Sequence, residues 1–223
     1  MFIAADASTI DVSDTWKRLP PEQVQHLADI PVALIGDTRR RLGMMAAALR
    51  PVTRQRRILG SILPVLTWEG DNLAIHAALD AAQPGDVLVI NANAEINRSV
   101  FGDILAEICL HRGVSGVVID GAVRDVDAIE QLGLPVFARG ISPAGPAKHG
   151  PGTVGYPVAC GNVVCNPGDI IVGDADGVIV LPAESLDTIL EAVCGQEKVE
   201  DAIRARIRDD ISTEHAIIGS GLG

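Results

Sequence analysis

Aromatic side chains are scarce: two Trp, one Tyr and three Phe amount to 3% of 223 residues. An aromatic-built core is therefore excluded, and burial falls to Ala, Val, Ile and Leu, the composition of an α/β protein with buried strands. Cations are outnumbered, 18 Lys and Arg against 29 Asp and Glu, giving a formal net charge of −11. Such a surface repels phosphate backbones and argues against a general nucleic-acid partner. The run "RPVTRQRR" (50–57) is a local exception, read as a solvated connection, with an anion-binding patch as the alternative. The cysteines, Cys109, Cys160, Cys165 and Cys194, form no C-x-x-C pair and have no zinc-ligand spacing, so they are read as small core residues. No apolar run approaches the ~20 residues of a membrane span, and the N-terminal stretch lacks a basic n-region. The expectation is a soluble, reduced, cytoplasmic protein with no membrane partner.

What is present is an alternation. Helices are expected over 37–49 (with Asp37 as N-cap), 70–82, 99–113 and 125–133, and strands over 57–69, 84–92, 116–120 and 134–140. In the third helix Phe101, Ile104, Leu105 and Ile108 fall at i, i+3, i+4 and i+7, and Gly113 sits at the stop position. Strand 57–69 carries a candidate bulge at Gly60 or Pro64. Strand–helix alternation implies a parallel sheet. After the Gly/Pro loop 141–152 come short, closely spaced strands that read as antiparallel, then a charged helical region over 183–211 with a candidate break near Gly195. The fold class is α/β: a layered β/β/α domain over 1–182 with mixed parallel and antiparallel strands, and a C-terminal helical extension over 183–223.

Ligands of α/β sheets gather at strand ends, where helix N-termini and loop amides converge. Three segments put polar groups there: "GDN" (70–72), "NANAEINRSVFGD" (91–103) and "DGAVRD" (120–125). Asp125 admits two readings, a helix N-cap or a ligand for a hard divalent cation. Arg124 is either a surface residue or a clamp for a carboxylate substrate. Together with Asp120 and Gly121 they make a tight turn with two carboxylates and one guanidinium. Gly102 and Asp103 open a helix whose free amides favour an anion; Asp103 either complements the dipole or orients a metal-bound water. His76, four residues after Asn72, and His111 are candidates to face a pocket, although lone helical histidines are usually satisfied partners. His149 lies in the Gly/Pro loop.

The stretch from "FGDILAEICLHRGVSGVVIDGAVRD" to "VVCNPGDIIVGDADGVIVLP" resembles the RraA-like family, over about Gly36 to Pro182. The "DGAVRD" turn is the specific element; "GDN" is weak. That family includes 4-hydroxy-4-methyl-2-oxoglutarate / 4-carboxy-4-hydroxy-2-oxoadipate aldolases and regulators of ribonuclease E, and many members carried the label of dimethylmenaquinone methyltransferase. The resemblance implies a swivelling β/β/α fold and a homotrimer or homohexamer with sites at subunit interfaces. It implies a Mg²⁺ or Mn²⁺ ion on Asp125, and Arg124 on a small 2-oxo acid substrate. Gly102, Asp103, Ile104 and Leu105 would hold the substrate carboxylate, with Asp103 positioning water. Glu200 of a neighbouring subunit would complete the site. Two departures stand out: Asn91-Ala92-Asn93-Ala94 replaces a Gly-rich loop of many relatives, and the C-terminal region aligns poorly. The expected reaction is class II cleavage of a 4-hydroxy-2-oxo di- or tricarboxylate to pyruvate, with oxaloacetate decarboxylation as a side activity. The alternative is a non-catalytic regulator that binds ribonuclease E; the regulators tend to carry an amide where Asp125 stands. A Schiff-base route is disfavoured because Lys17, Lys148 and Lys198, the only lysines, lie outside apolar strands. A methyltransferase is disfavoured because "GSGLG" (219–223) follows no strand.

Overall fold

The computed structural model describes residues 7–13 and 15–209; the terminal "GSGLG" lies outside the described residues. In chain order, β1 (Ile10–Val12), α1 (Pro21–Val24) and α2 (Val32–Thr38) lead to β2 (Arg50–Pro51) and β3 (Ile58–Thr67). There follow α3 (Leu73–Ala81), β4 (Asp86–Asn91), β5 (Ser99–Phe101), α4 (Asp103–His111), β6 (Gly116–Val123), α5 (Val126–Leu132) and β7 (Val136–Ile141). The second half holds β8 (Gly152–Val154), β9 (Val158–Cys160), β10 (Val163–Cys165), β11 (Ile170–Gly173), β12 (Val178–Leu181) and the long α6 (Leu186–Asp209).

Strands β3, β4, β6 and β7 run parallel side by side, linked through α3, α4 and α5. Both faces of this sheet are covered, which is why its strands read as continuous apolar runs rather than alternating ones. Leu88 and Ile90 of β4, with Val117 and Ile119 of β6, face α3, α4 and α5. Val87 and Val89, with Val118, face the antiparallel half, where Cys160, Cys165, Ile171 and Val180 meet them. The opposite face of β11 and β12, Ile170, Val172, Ile179 and Leu181, packs against α1, α2 and the start of α6 through Leu34, Ile35, Leu186 and Ile189. This is the layered swivelling β/β/α arrangement expected from the sequence. Two strands share an edge between partners. The edge of β3 pairs β11 over its first half and β8 over its last residues, both antiparallel. β6 pairs β4 as far as Asp120 and β5 from Ala122 onward.

Several expectations need correction. The helix expected over 37–49 does not form: α2 lies ahead of it and ends at Thr38, so Asp37 sits in the last turn of α2 and caps nothing. Arg40 and Arg41 turn through left-handed conformations (φ 52° and 68°), which breaks the helix and frees Met45 and Leu49 to enter the core under the antiparallel half. The helix expected over 99–113 begins as a strand: Ser99 and Phe101 pair with Ala122 and Val123, and the helix starts only at Asp103. Its buried face is Leu105, Ala106 and Cys109, whereas Ile104 is 65% exposed. No register shift interrupts the pairing of β3 with β4; the bulge lies in β6. The antiparallel half contains one parallel pairing, β8 with β1. α6 passes through Gly195 without a break, and a β-carbon there would meet nothing within 4 Å. Cys194 is exposed, unlike the other three cysteines.

The run 50–57 opens with β2, paired to β7, and continues as a connection in which Thr53 is buried. Arg57 donates to the carbonyls of Leu27 and Ile30, and Arg54 reaches Glu130 at 3.7 Å. Among the described residues no helix is long and apolar enough to cross a membrane.

Candidate functional site

The turn that ends β6 delivers Arg124 and Asp125. The Arg124 amide donates to the Phe101 carbonyl at 2.9 Å, which ties it to the end of β5. Asp125 occupies the residue before α5 in a left-handed conformation (φ 56°, ψ 36°) and makes no side-chain capping bond. The position is that of an N-cap, but the carboxylate is used elsewhere: its Oδ2 accepts from Arg124 Nε at 3.0 Å. Both side chains keep more than a third of their surface open, 39% and 37%, so most of their bonding capacity is free. A non-glycine residue in this conformation costs about 1–2 kcal/mol, with Asp among the residues that tolerate it.

Gly102 lies against that pair. Its backbone is extended (φ −149°), so glycine is not needed for the torsion; space is the reason. A β-carbon there would stand 2.6 Å from Asp125 Oδ2 and 3.3 Å from Arg124 Nε. The next residue, Asp103, opens α4 with its Oδ1 accepting from the Ile104 amide at 2.8 Å.

Gly102, Asp103 and Arg124, though not Asp125, line a cavity of about 140 Å³ together with Asn72, His76, Val100, Phe101, Ile104, Leu105, Pro146 and Lys148. Sequence-predicted Gly102, Asp103, Ile104, Leu105 and Arg124 thus converge on one space, with Asp125 behind Gly102. His76 does face it; His111 and His149 do not line it. Asn91–Ala94 does not line it either; Ala92 and Ala94 donate their amides to the Asp120 carbonyl instead. Glu200 does not line the cavity of its own chain and pairs with Arg204 at 2.8 Å on α6.

Val100, Phe101, Pro146 and Lys148 are lining residues that the sequence reading did not select, and Asn72 entered it only through "GDN". The signal for Asn72 was its place one helical turn before His76, opening a helix at a strand end. Asp71 brings Asn72, Pro146 and Lys148 together: buried, it accepts from the Leu73 amide at 2.8 Å and from the His149 amide at 2.6 Å, so the start of α3 and the Gly/Pro loop are clamped. Within the cavity, Asn72 Oδ1 and His76 Nδ1 are buried without a hydrogen-bond partner. Burial, and secondarily the Lys148 cation, hold the His76 pKa below its ordinary value, so the ring stays neutral.

Asp120, expected to add a second carboxylate to the turn, does not join Asp125. Arg139 Nε donates to its Oδ1 at 2.5 Å and the Gly161 amide to its Oδ2 at 2.8 Å. The bond to Asp120 holds the Arg139 pKa above its usual value. Burial also holds the Cys109, Cys160 and Cys165 thiols protonated, Cys165 up to about 12, so they are packing residues and not nucleophiles.

Among the described residues no three His, Cys, Asp or Glu side chains converge as a metal cage. A lone Asp125 carboxylate with open approach does not suit zinc. It suits Mg²⁺ or Mn²⁺, hard ions that keep several waters and take one or two carboxylates plus substrate oxygens.

Residues 9–180 match the RraA-like family model, described as Aldolase/RraA. A Halalkalibacterium halodurans protein, provisionally named a 4-hydroxy-4-methyl-2-oxoglutarate aldolase, is 34% identical over 189 residues, 85% of this chain and 90% of that one. The Streptomyces coelicolor protein RraAS2, described as an unusual member of the RNase ES inhibitor RraA family, superposes with a TM-score of 0.76 at 28% identity, covering 85% of this chain and 98% of its own. An uncharacterized protein of Pseudomonas syringae pv. tomato shares the fold, with a TM-score of 0.77 at 22% identity over 90% of this chain and 99% of its own. With more than half of its length matched to the family model, the chain belongs to the RraA-like family.

Proposed function

We propose that the protein is a class II lyase that cleaves a 4-hydroxy-2-oxo di- or tricarboxylate, of the 4-hydroxy-4-methyl-2-oxoglutarate or 4-carboxy-4-hydroxy-2-oxoadipate type, to pyruvate and a second oxo acid. The observation that carries this reading is the meeting of Arg124, Asp125 and the start of α4 around Gly102, where an open cation–carboxylate pair stands beside a helix N-terminus. Asp125 would hold Mg²⁺ or Mn²⁺, which when bound supplies Lewis-acid stabilisation of enolate charge. The Leu105 amide, joined by that of Ile104 once Asp103 Oδ1 releases it, holds the 2-oxo acid carboxylate at the helix N-terminus. Arg124 keeps its Nη donors free and aims them at the oxygen on which negative charge develops. Asp103 orients a water that takes the C4 hydroxyl proton. The C3–C4 bond then breaks, its electron pair passes into the pyruvate enolate, and a proton returned to C3 completes the methyl group. Oxaloacetate gives the same enolate by loss of CO₂, which makes its decarboxylation the expected second activity. Glu200 of a neighbouring subunit in a homotrimer or homohexamer would close the site.

The test is pyruvate release from oxaloacetate and from 4-hydroxy-4-methyl-2-oxoglutarate, with Mg²⁺ and with excess chelator, using wild type, Asp125→Asn and an enzyme-free blank. Turnover that survives the chelator rules out this mechanism. A second reading, a regulator that binds ribonuclease E, is favoured by the likeness to RraAS2 and by the lack of a three-ligand cage among the described residues. Binding to ribonuclease E by a protein inert with both substrates would establish it.

A further inference from the structure

Asp120 lies within β6, five residues before Asp125, and is its opposite in setting. It stands where β6 exchanges β4 for β5: Asn91 pairs with Asp120, and the next pairing on that edge is Ser99 with Ala122. On the other edge Ile119 pairs with Ala138 and Ala122 with Gly140. Asp120 and Gly121 therefore oppose Arg139 alone. Two residues facing one is a β-bulge, a device that bends a strand and re-aims the residues beyond it.

The bulge is held from three directions. Arg139, the residue that faces it, grips Asp120 Oδ1 at 2.5 Å, and the Gly161 amide, from the turn between β9 and β10, takes Oδ2 at 2.8 Å. The Asp120 carbonyl accepts from the Ala92 and Ala94 amides at 3.2 and 3.0 Å. Only glycine fits next, because a β-carbon on Gly121 would lie 2.7 Å from that of Ala92. The strand leaving this point carries Arg124 and Asp125, and the strand arriving carries Gly102. Those two strands meet without slack, since even one methyl group on Gly102 would overlap the Asp125 carboxylate.

We infer that Asp120 and Arg139 are positioning residues of the site: their ion pair fixes the bulge at which β6 changes partner, and so sets where Arg124 and Asp125 stand against Gly102. The inference rests on the proposed reading of Asp125 as a cation ligand. With both carboxylate oxygens bonded, Asp120 is a support for the site and not a second ligand.

The test compares wild type with Arg139→Lys and Asp120→Asn, the first keeping the charge but losing the planar fork, the second keeping the shape but losing the charge. Thermal unfolding defines the folded fraction of each. Mn²⁺ affinity is read by electron paramagnetic resonance on substrate-free protein, and kcat and KM by pyruvate release at saturating Mn²⁺. Mn²⁺ dissociation constants raised about 10- to 100-fold in the folded variants, with kcat lowered by a similar factor and KM changed less than about threefold, are expected. If one variant does not fold, the other carries the test. Wild-type Mn²⁺ affinity and kcat in a folded variant, with only the melting temperature lowered, overturn the inference alone. A wild-type protein that binds no Mn²⁺ overturns the reading of Asp125 and the inference with it.

Discussion

The sheet has an Arg–Asp pair beside a cavity at each end, and the two differ in every respect that matters for chemistry. At the N-terminal ends of the strands, Arg18 and Asp86 come from 68 residues apart and join through two bonds of 2.6 and 2.8 Å. Asp86 is fully buried, also accepts the Gln83 amide, and its partner's guanidinium lies 4.6 Å from the Trp16 ring. At the other end Arg124 and Asp125 are neighbours in sequence, joined once, and open. The first pair lines a cavity of about 350 Å³ and the second sits at one of about 140 Å³. In the larger space the charges are already satisfied within the fold. Free bonding capacity, and not volume, is what sets the Arg124 end of the sheet apart.

Substitutions sharpen this contrast. Asp125→Asn should lower pyruvate release about 10³-fold or more while leaving the melting temperature close to wild type, because an ion pair as exposed as Arg124–Asp125 contributes little to stability. Asp86→Ala should do the reverse. It leaves the part-buried Arg18 without its partner, so chemical unfolding should show a loss of about 3 kcal/mol, while kcat per folded molecule stays within about twofold of wild type. An activity loss in folded Asp86→Ala would break the comparison.

Gly102→Ala, compatible with the extended backbone, should reduce kcat about 10- to 100-fold through displaced Arg124 and Asp125 groups, with little change in denaturant midpoint. His76 offers the smallest effect. Its folded pKa lies below the ordinary 6.5, so under acid conditions the unfolded chain binds more protons than the folded one. Its contribution to stability is present above that value and is lost as pH falls through the lower folded value. The melting temperature of wild type should therefore fall more steeply below about pH 6.5 than that of His76→Gln.

The parts of this contrast legible in the sequence were the local ones. A buried run ending in "DGAVRD" puts Arg124 and Asp125 at a strand end whatever the rest of the chain does, and "FGD" places an anion-friendly helix start. The open pair is adjacent in sequence and so could be seen there. The closed pair, Arg18 with Asp86, could not, because nothing in either segment refers to the other. The same holds for Asp120, whose partners lie 19 and 41 residues away. Read locally, it is one more carboxylate in an acidic turn. The strand β5 was missed for a related reason: Val100 and Phe101 fit a helical spacing with Ile104 and Leu105, and only the free edge of β6 past its bulge draws them into a ladder. Likewise "DTRRRLGMMAAAL" has good helix-forming residues throughout, and the pull of the core on Met45 and Leu49 outweighs that preference.

The left-handed backbone at Asp125 sets heat resistance and chemistry against each other at one position. Glycine would relax that torsion and remove the carboxylate in the same step. A library randomised at residue 125 and sorted only for survival on heating should enrich glycine, and the same library sorted for pyruvate production should discard it. Comparing the two sorted pools would weigh, within one codon, what this fold gives up in durability to keep a carboxylate at that corner.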